Sequence, residues 1–210
     1  MTNHHWRQSM DTNKTAVVFI GYQNDYFAKN GVLHEIIEES SRITGVLDNT
    51  VALIEHLKST PVLMLSTPIA FTHDYSELVE PVGILQTIKE KKAFQANTEG
   101  VQTITELRQF GDRITEIVGK RGLNAFSNTT LDEVLQQQGI TELVLAGVVV
   151  SLCIDSTGRA AAEKGYKVSI LSDCTSGRTV FEHDFYCDNI FSIYGKVMDH
   201  HPFLEALKVN

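Results

Sequence analysis

Continuous apolar runs mark the segments of the chain that are typical of buried β-strands. The run TAVVFI at residues 15–20 is rich in β-branched side chains, and the polar stretch GYQNDY follows it. Similar runs occur at residues 61–66 and 142–148, and shorter strands are predicted at residues 113–118 and 167–171. Because the main runs are apolar throughout, both faces of each strand are expected to be covered, as in a parallel sheet.

Helical periodicity separates these predicted strands. The apolar side chains of residues 38–58 recur every three to four positions and form one stripe, made of Ile43, Leu47, Val51, Ile54 and Leu57. A second helix is predicted from an N-cap at Thr129 or Thr130 to Gly139. Further helices are predicted at residues 156–164, at residues 181–194 and from Pro202 onwards, with a short extension at residues 196–198.

The alternation of strands and helices predicts an α/β fold. We expect a three-layer doubly wound sandwich, in which a parallel sheet carries helices on both faces and ligands bind at the carboxyl ends of the strands. Residues 67–112 interrupt the alternation with several Pro and Gly residues and are predicted to be rich in loops. Such a segment can form a lid over a substrate, or it can simply cover an edge of the sheet.

Composition narrows the class of protein. The 210 residues suit a single domain at residues 15–210, preceded by a flexible polar arm at residues 1–14. The formal net charge of −8, without a cluster of Lys and Arg, argues against nucleic acid or a membrane surface as partners. The arm lacks the apolar core of a signal peptide, so a cytoplasmic location is expected.

Cysteine usage and glycine motifs limit the possible cofactors. The three cysteines, which are Cys153, Cys174 and Cys187, show no CxxC spacing and are predicted to be free thiols. Neither a GxGxxG nor a GxxxxGK[ST] loop occurs, and no pair of histidines has the spacing of a helical metal site. We therefore expect neither a cofactor nor a metal.

Cys153 is the first candidate for chemistry, because it lies where the strand at residues 142–148 gives way to a helix. A thiol in the first turn of a helix lies near the positive end of the helix dipole and near unpaired N–H groups, which favour a thiolate and an oxyanion. A buried structural cysteine is the equal alternative. Lys120, Asp25 and Asp173 also follow predicted strands, where surface or turn roles are the more common ones.

Three segments of the sequence resemble the isochorismatase-like cysteine hydrolases. The segment AGVVVSLCIDSTGRAAAEKGYKVSILSDCTSG is similar to the family's cysteine signature, and GKRGLNAFSNTTLDEVL is similar to its lysine segment. The segment VVFIGYQNDYF resembles the first strand of the family, which normally ends in Asp-x-Gln-x-Asp-Phe. The resemblance implies a six-stranded parallel sheet and a triad of Cys, Lys and Asp that acts on amides or on a vinyl ether.

Carried onto this chain, the resemblance implies that Cys153 is the nucleophile and Lys120 its cationic partner. It also implies a cis peptide bond between Val148 and Val149, and an oxyanion hole formed by the N–H groups of Val149 and Cys153. Val150 stands where the family usually has Thr. The family also implies a homo-oligomer, either a dimer or a tetramer.

Gly21 departs from the resemblance, because it occupies the position of the triad Asp. The missing carboxylate would take and return a proton, a contribution of about 10²–10⁴-fold to the rate. Three explanations are open: a catalytically silent protein, a substitute such as Asp25 or a water molecule, or an engineered glycine. Asp25 matches the ordinary second Asp of the pattern, which favours a structural role in the loop.

The substrate is less well defined by the sequence. Nicotinamidases carry an Asp-x-His metal site after the second strand, whereas this chain reads STPIAFTHDY there, with His73 and Asp74 adjacent. Four aromatic residues are expected near a pocket for a flat or apolar small molecule, although core packing is the equal alternative: Phe27, Phe71, Tyr75 and Phe126. The two resulting hypotheses are a hydrolase of small amides and a silent binding or oligomer-forming protein.

Overall fold

Six parallel strands form one central sheet in the computed structural model, which describes residues 9–208. The strands of this sheet are β2 (Thr15–Ile20), β3 (Leu63–Ser66), β4 (Thr115–Glu116), β5 (Glu142–Val148), β6 (Lys167–Ser176) and β7 (Gly195–Met198). Their order across the sheet is β4-β3-β2-β5-β6-β7, and every neighbouring pair is parallel. The predicted α/β sandwich with a six-stranded parallel sheet is confirmed.

Side chains of the central strands alternate between two apolar layers. Val18 of β2 and Leu145 of β5 belong to one core cluster, whereas Val17 and Val144 belong to the cluster on the opposite face. All six residues of β2 are buried, which explains why its sequence is apolar throughout. The two layers cover the sheet from both sides, so functional groups are left to its edges and strand ends.

Nine α-helical segments surround the sheet in the described part of the chain. Their bounds are α1 (Asn24–Phe27), α2 (His34–Thr44), α3 (Val46–Leu57), α4 (Gly83–Lys91), α5 (Thr105–Arg108), α6 (Leu131–Gln137), α7 (Asp155–Glu163), α8 (Val180–Phe185) and α9 (His200–Ala206). The helices predicted before Gly139 and at residues 156–164 are found as α6 and α7. The helix predicted from Pro202 begins two residues earlier, at His200.

The single helix predicted at residues 38–58 is wrong, because α2 and α3 are separate helices. Gly45 between them adopts φ +67°, a left-handed conformation, and its N–H donates to the carbonyl of Ser41 to close α2. The predicted apolar stripe is broken at this point. Ile43 is exposed to solvent, whereas Ile54 and Leu57 are buried against the sheet.

Several other elements have bounds that differ from the predicted ones. Only Thr115–Glu116 of the strand predicted at residues 113–118 joins the sheet. The Arg113 side chain donates to the carbonyls of Leu57, the last residue of α3, and of Thr60. The strand predicted at residues 167–171 continues to Ser176. The helix predicted at residues 181–194 ends at Phe185 and continues as a π-helical and then a 3₁₀ turn. The predicted extension at residues 196–198 is β7, an edge strand.

The predicted flexible arm is ordered over residues 10–14. Strand β1 (Met10–Asp11) pairs in parallel with β8 (Leu207–Lys208), and the Met10 side chain is buried. A 3₁₀ turn, Thr12–Lys14, then leads into β2. Residues 9–14 of the predicted arm are thus described, and residues 1–8 lie outside the described residues.

The segment at residues 67–112 forms a third apolar cluster at the carboxyl end of the sheet. It contains α4 and α5 in addition to loops, and Phe71, Tyr75 and Phe94 bury their rings in it. Val148 and Val149, which follow β5, belong to the same cluster. Among the described residues, no helix is long and apolar enough to cross a bilayer.

Candidate active site

The candidate site lies where the order of the strands reverses. Strands β2 and β5 are neighbours, and from this pair the chain builds the sheet outwards in both directions. A crevice at such a reversal is the usual place for a ligand in an open parallel sheet. Gly21 follows β2 here and Val149 follows β5, so the two segments singled out in the sequence meet at this point.

The turn that carries Cys153 is π-helical. It runs over Val150–Ile154 and leads directly into α7. Both Leu152 and Ile154 donate their N–H groups to the carbonyl of Val149, at 3.0 and 3.3 Å. The peptide bond between Val148 and Val149 is cis. This turn fixes the thiol at the start of a helix, where the dipole favours negative charge.

Lys120 reaches the thiol from the other side. Its Nζ atom lies 3.4 Å from Cys153 Sγ in a buried hydrogen bond. A backbone bridge pairs Lys120 with Ile69, and the N–H of Ala70 donates to the Lys120 carbonyl at 3.1 Å. The structure therefore brings together the two residues that the sequence could place only at separate strand ends.

Burial sets the electrostatics of this pair. Lys120 is 1% exposed and Cys153 is 6% exposed. An ammonium held away from water is costly unless a negative group compensates its charge. A thiolate on Cys153 would supply that compensation.

The two other cysteines have different charged neighbours from Cys153. Burial and nearby carboxylates raise the pKa of Cys187 to about 12, and burial together with Asp173 raises the pKa of Cys174 well above its ordinary value. Cys187 Sγ instead lies 3.6 Å from His183 Nε2. All three cysteines are free thiols, as predicted.

The backbone conformation and the close neighbours of Gly21 fit a residue without a side chain. Its φ is +78°, and a Cβ atom at this position would lie 2.6 Å from the carbonyl oxygen of Val148 and 2.9 Å from its Cγ2. Both values are below normal van der Waals contact, so any side chain would force the two segments apart. The local backbone therefore favours glycine at position 21.

Asp25 organises a loop through hydrogen bonds with the backbone. Its Oδ2 accepts a hydrogen bond from the N–H of Phe94 at 2.6 Å, and its own N–H donates to the carbonyl of Gly100 at 2.9 Å. Burial raises the pKa of Asp25, against the opposing effect of the N–H groups of Phe94 and Val32. These contacts favour the structural role for Asp25.

The four aromatic residues predicted near the pocket separate into different environments. Phe71 and Tyr75 lie in the third cluster with Val148 and Val149, and Phe27 packs at its border and stacks on Tyr22 at 5.4 Å. Phe126 stacks on Tyr166, beyond the carboxyl-terminal end of α7 and thus at the opposite end of that helix from Cys153. Its assignment to the pocket stays a prediction.

Sequence reasoning missed two hydroxyl-bearing residues at the carboxyl ends of the strands. Tyr26 packs in the third cluster, and its pKa is raised by burial, by the Cys153 thiolate and by Asp25. Thr67 directly follows β3, and its buried hydroxyl has no hydrogen-bond partner in the structure over residues 9–208. No periodicity or motif marks a single hydroxyl, so only the fold shows these positions.

One group of possible metal ligands occurs in the described chain. Side-chain atoms of Asp173, Cys174 and His200 lie within 4.8 Å of one another. The carboxylate of Asp173 already accepts hydrogen bonds from the N–H of His200, at 2.9 Å, and from its ring Nδ1. Cys174 belongs to the cluster on the face of the sheet opposite Cys153. These mutual bonds account for the group without an ion.

Comparisons with known proteins agree with this geometry. The sequence model of the isochorismatase domain matches residues 15–202. An isochorismatase family protein of Bacillus subtilis is 31% identical over 169 residues, which are 79% of each chain. A ureidoacrylate amidohydrolase of Agrobacterium fabrum is 26% identical and covers 80% of this chain and 78% of its own. The crystal structure of a cysteine hydrolase from Pseudomonas syringae matches 94% of both chains with a TM-score of 0.81 at 17% identity.

The environment of Gly21 predicts a large loss of stability on substitution. We expect Gly21→Ala to lower the free energy of unfolding by about 3 kcal/mol, because a left-handed conformation and a collision with Val148 add up. Gly139→Ala is the matched control, since Gly139 has φ +66° but open space around its Cβ position. Its loss is expected to be about 1 kcal/mol. Equal losses in urea denaturation of the two variants would contradict the collision.

Proposed function

The chain belongs to the isochorismatase family, and from this premise we propose that it hydrolyses a small amide through Cys153. The observation that carries the proposal is the buried contact of 3.4 Å between Lys120 Nζ and Cys153 Sγ. Relatives that are amidohydrolases support an amide as the substrate class. Hydrolysis of a vinyl ether is the other reaction that the resemblance implies.

The proposed reaction begins with attack of the Cys153 thiolate on the carbonyl carbon of the amide. The oxyanion would be stabilised by the N–H groups of Val149 and Cys153. The C–N bond breaks to leave a thioester, and the departing nitrogen takes a proton from the Lys120 ammonium. Water then adds to the thioester, returns a proton to Lys120, and releases the carboxylic acid and the thiolate.

Lys120 takes over proton transfer in this scheme because Gly21 supplies no carboxylate. The lysine is buried beside the sulfur, so a proton on Nζ lies close to any nitrogen bonded to the attacked carbon. Loss of the ordinary acid-base group costs about 10²–10⁴-fold in rate, and we therefore propose an enzyme that is slow for its family.

A catalytically silent protein is the second candidate, and the geometry of Gly21 favours it. The left-handed backbone and the close Val148 carbonyl leave no room for the side chain of an aspartate. Gly21→Asp would therefore disturb the turn as well as add a carboxylate, and it cannot serve as a simple test. Turnover by the unaltered chain separates the two candidates.

The hydrolase proposal predicts measurable release of ammonia or amine from a panel of small amides. Cys153→Ala is expected to abolish turnover, and Lys120→Met is expected to lower it by about 10²-fold or more, since the ion pair and the proton carrier are both lost. Lys164→Met, a change at an exposed ion pair with Asp132, is the control and should have no effect. Turnover by the unaltered chain that does not exceed that of Cys153→Ala would favour the silent protein.

We also propose a cytoplasmic location. Three free thiols, one of them placed for chemistry, are typical of a reducing compartment. The thiolate of Cys153 would need that environment to stay reduced.

Self-association is a further part of the proposal. Four apolar side chains on the surface are exposed by 44 to 79%: Ile43, Phe181, Phe185 and Ile193. The rings of Phe181 and Phe185 stack on each other on α8, which packs beside α2. Exposed apolar groups of this kind mark surfaces that proteins bury against a partner.

Light scattering tests the predicted dimer or tetramer. We expect a mass that is two or four times the 23.4 kDa of the chain, and a shift towards the monomer in Phe181→Glu. Val79→Glu is the control, because Val79 is similarly exposed but lies on a loop before α4, away from α8 in the sequence. A monomer at micromolar concentration would contradict the prediction.

A further inference from the structure

We propose that a cavity beyond the carboxyl ends of β3 and β4 binds a free α-amino acid with an apolar side chain. The cavity has a volume of about 420 Å³, and its walls come from the segments 68–70, 101–103 and 116–119 together with Arg108. A cavity of this size suits one small molecule. The inference goes beyond the proposed hydrolase and does not depend on it, because it concerns binding at a second site.

Hydrogen bonds hold the walls of the cavity in place. The buried side chain of Gln23 donates to the carbonyls of Ile69, at 2.8 Å, and Val101, at 2.7 Å, so one amide connects two of the walls. The third wall is connected by the N–H of Ala70, which donates to the Lys120 carbonyl at 3.1 Å. The cavity is therefore formed before any ligand binds.

The charged end of the cavity lies on the face of the sheet opposite Cys153. Leu65 of β3 belongs to the same core cluster as Cys153. The next residue, Ser66, points to the other face, because side chains alternate along a strand. Glu116 pairs with Ser66 in the parallel register and thus shares that face. A ligand bound beside Glu116 is therefore separated from the thiol by the sheet.

Apolar side chains form much of the cavity wall. Pro68, Ala70 and Val101 are partly exposed there, and Val118 on the rim is 68% exposed. These groups gain by contact with an apolar ligand group, since such contact removes their surface from water.

Two opposite charges line one end of the same cavity. The Arg108 guanidinium donates to neutral oxygens, Oε1 of Gln102 at 3.3 Å and Oγ1 of Thr105 at 3.2 Å. The Glu116 carboxylate accepts from the Thr103 hydroxyl at 3.2 Å. Among the described residues, neither charge forms an ion pair. Both also line a second cavity of about 140 Å³, which places them together where the two cavities meet.

An α-amino acid matches this arrangement of charges and apolar groups. Its carboxylate would accept two N–H bonds from the fork of Arg108, and its ammonium, on the adjoining carbon, would donate to Glu116. The apolar side chain would then cover Pro68, Ala70 and Val118. A simple carboxylate would be repelled by Glu116 and a simple amine by Arg108, so the pair selects a molecule that carries both charges.

An NMR titration with matched ligands tests the assignment. L-leucine is compared with 4-methylpentanoate, which lacks the amino group, and with 3-methylbutylamine, which lacks the carboxylate. L-valine is compared with its two analogues in the same way. We expect at least one of the amino acids to bind with a Kd about tenfold or more below those of both its analogues.

Exchange of either charge for a neutral amide tests the two residues. Arg108→Gln and Glu116→Gln are each expected to weaken binding of that amino acid by about tenfold or more. Both side chains are exposed, so the variants should fold like the unaltered chain. Lys167→Gln is the control and should bind normally, since it removes an exposed charge that pairs with Glu142 at the amino end of the sheet.

Alkylation of Cys153 with iodoacetamide distinguishes this cavity from the nucleophile site. The alkylated protein should bind the amino acid with unchanged affinity. Loss of binding on alkylation would place the amino acid at Cys153 and overturn the assignment. Amino acids that bind no more tightly than their singly charged analogues, or with the same affinity in Arg108→Gln and Glu116→Gln, would also overturn it.

Discussion

A lysine ammonium and a thiol that are both nearly excluded from water constrain the whole carboxyl end of the sheet. Lys120 Nζ and Cys153 Sγ lie 3.4 Å apart, and in the proposed site a thiolate compensates the charge of the lysine. The backbone bridge between Ile69 and Lys120 holds one side, and the π-helical turn after β5 holds the other. The parallel sheet is the frame that brings these two distant segments to one crevice.

Gly21 determines how closely the end of β2 approaches the turn after β5. Its left-handed backbone lets β2 end directly against the carbonyl of Val148, at a separation that leaves no room for a Cβ atom. The glycine thus allows a close approach of the two segments. Tyr26, five residues further on, supplies a hydroxyl in the neighbouring cluster, and it keeps its proton at neutral pH.

The sequence predicted the central sheet well, because β2 and β5 are continuous apolar runs. Such runs fit a parallel sheet that is covered on both faces. It misjudged the segment at residues 38–58, where Gly45 could have been read either as a helix position or as a stop. The contact between Lys120 and Cys153 followed from family resemblance and not from spacing. The stacking of Phe126 on Tyr166 could not be predicted, because periodicity does not show towards which end of α7 a loop turns.

The rate at which iodoacetamide alkylates each thiol near neutral pH tests the central contact most directly. The ion pair predicts that Cys153 reacts first, ahead of Cys174 and the more exposed Cys187, whose pKa is raised to about 12. It also predicts that Lys120→Met slows Cys153 by about tenfold or more, since the thiolate loses its cation. A Cys153 that reacts no faster than the other two thiols, or at the same rate in Lys120→Met, would contradict an activated thiolate at this site.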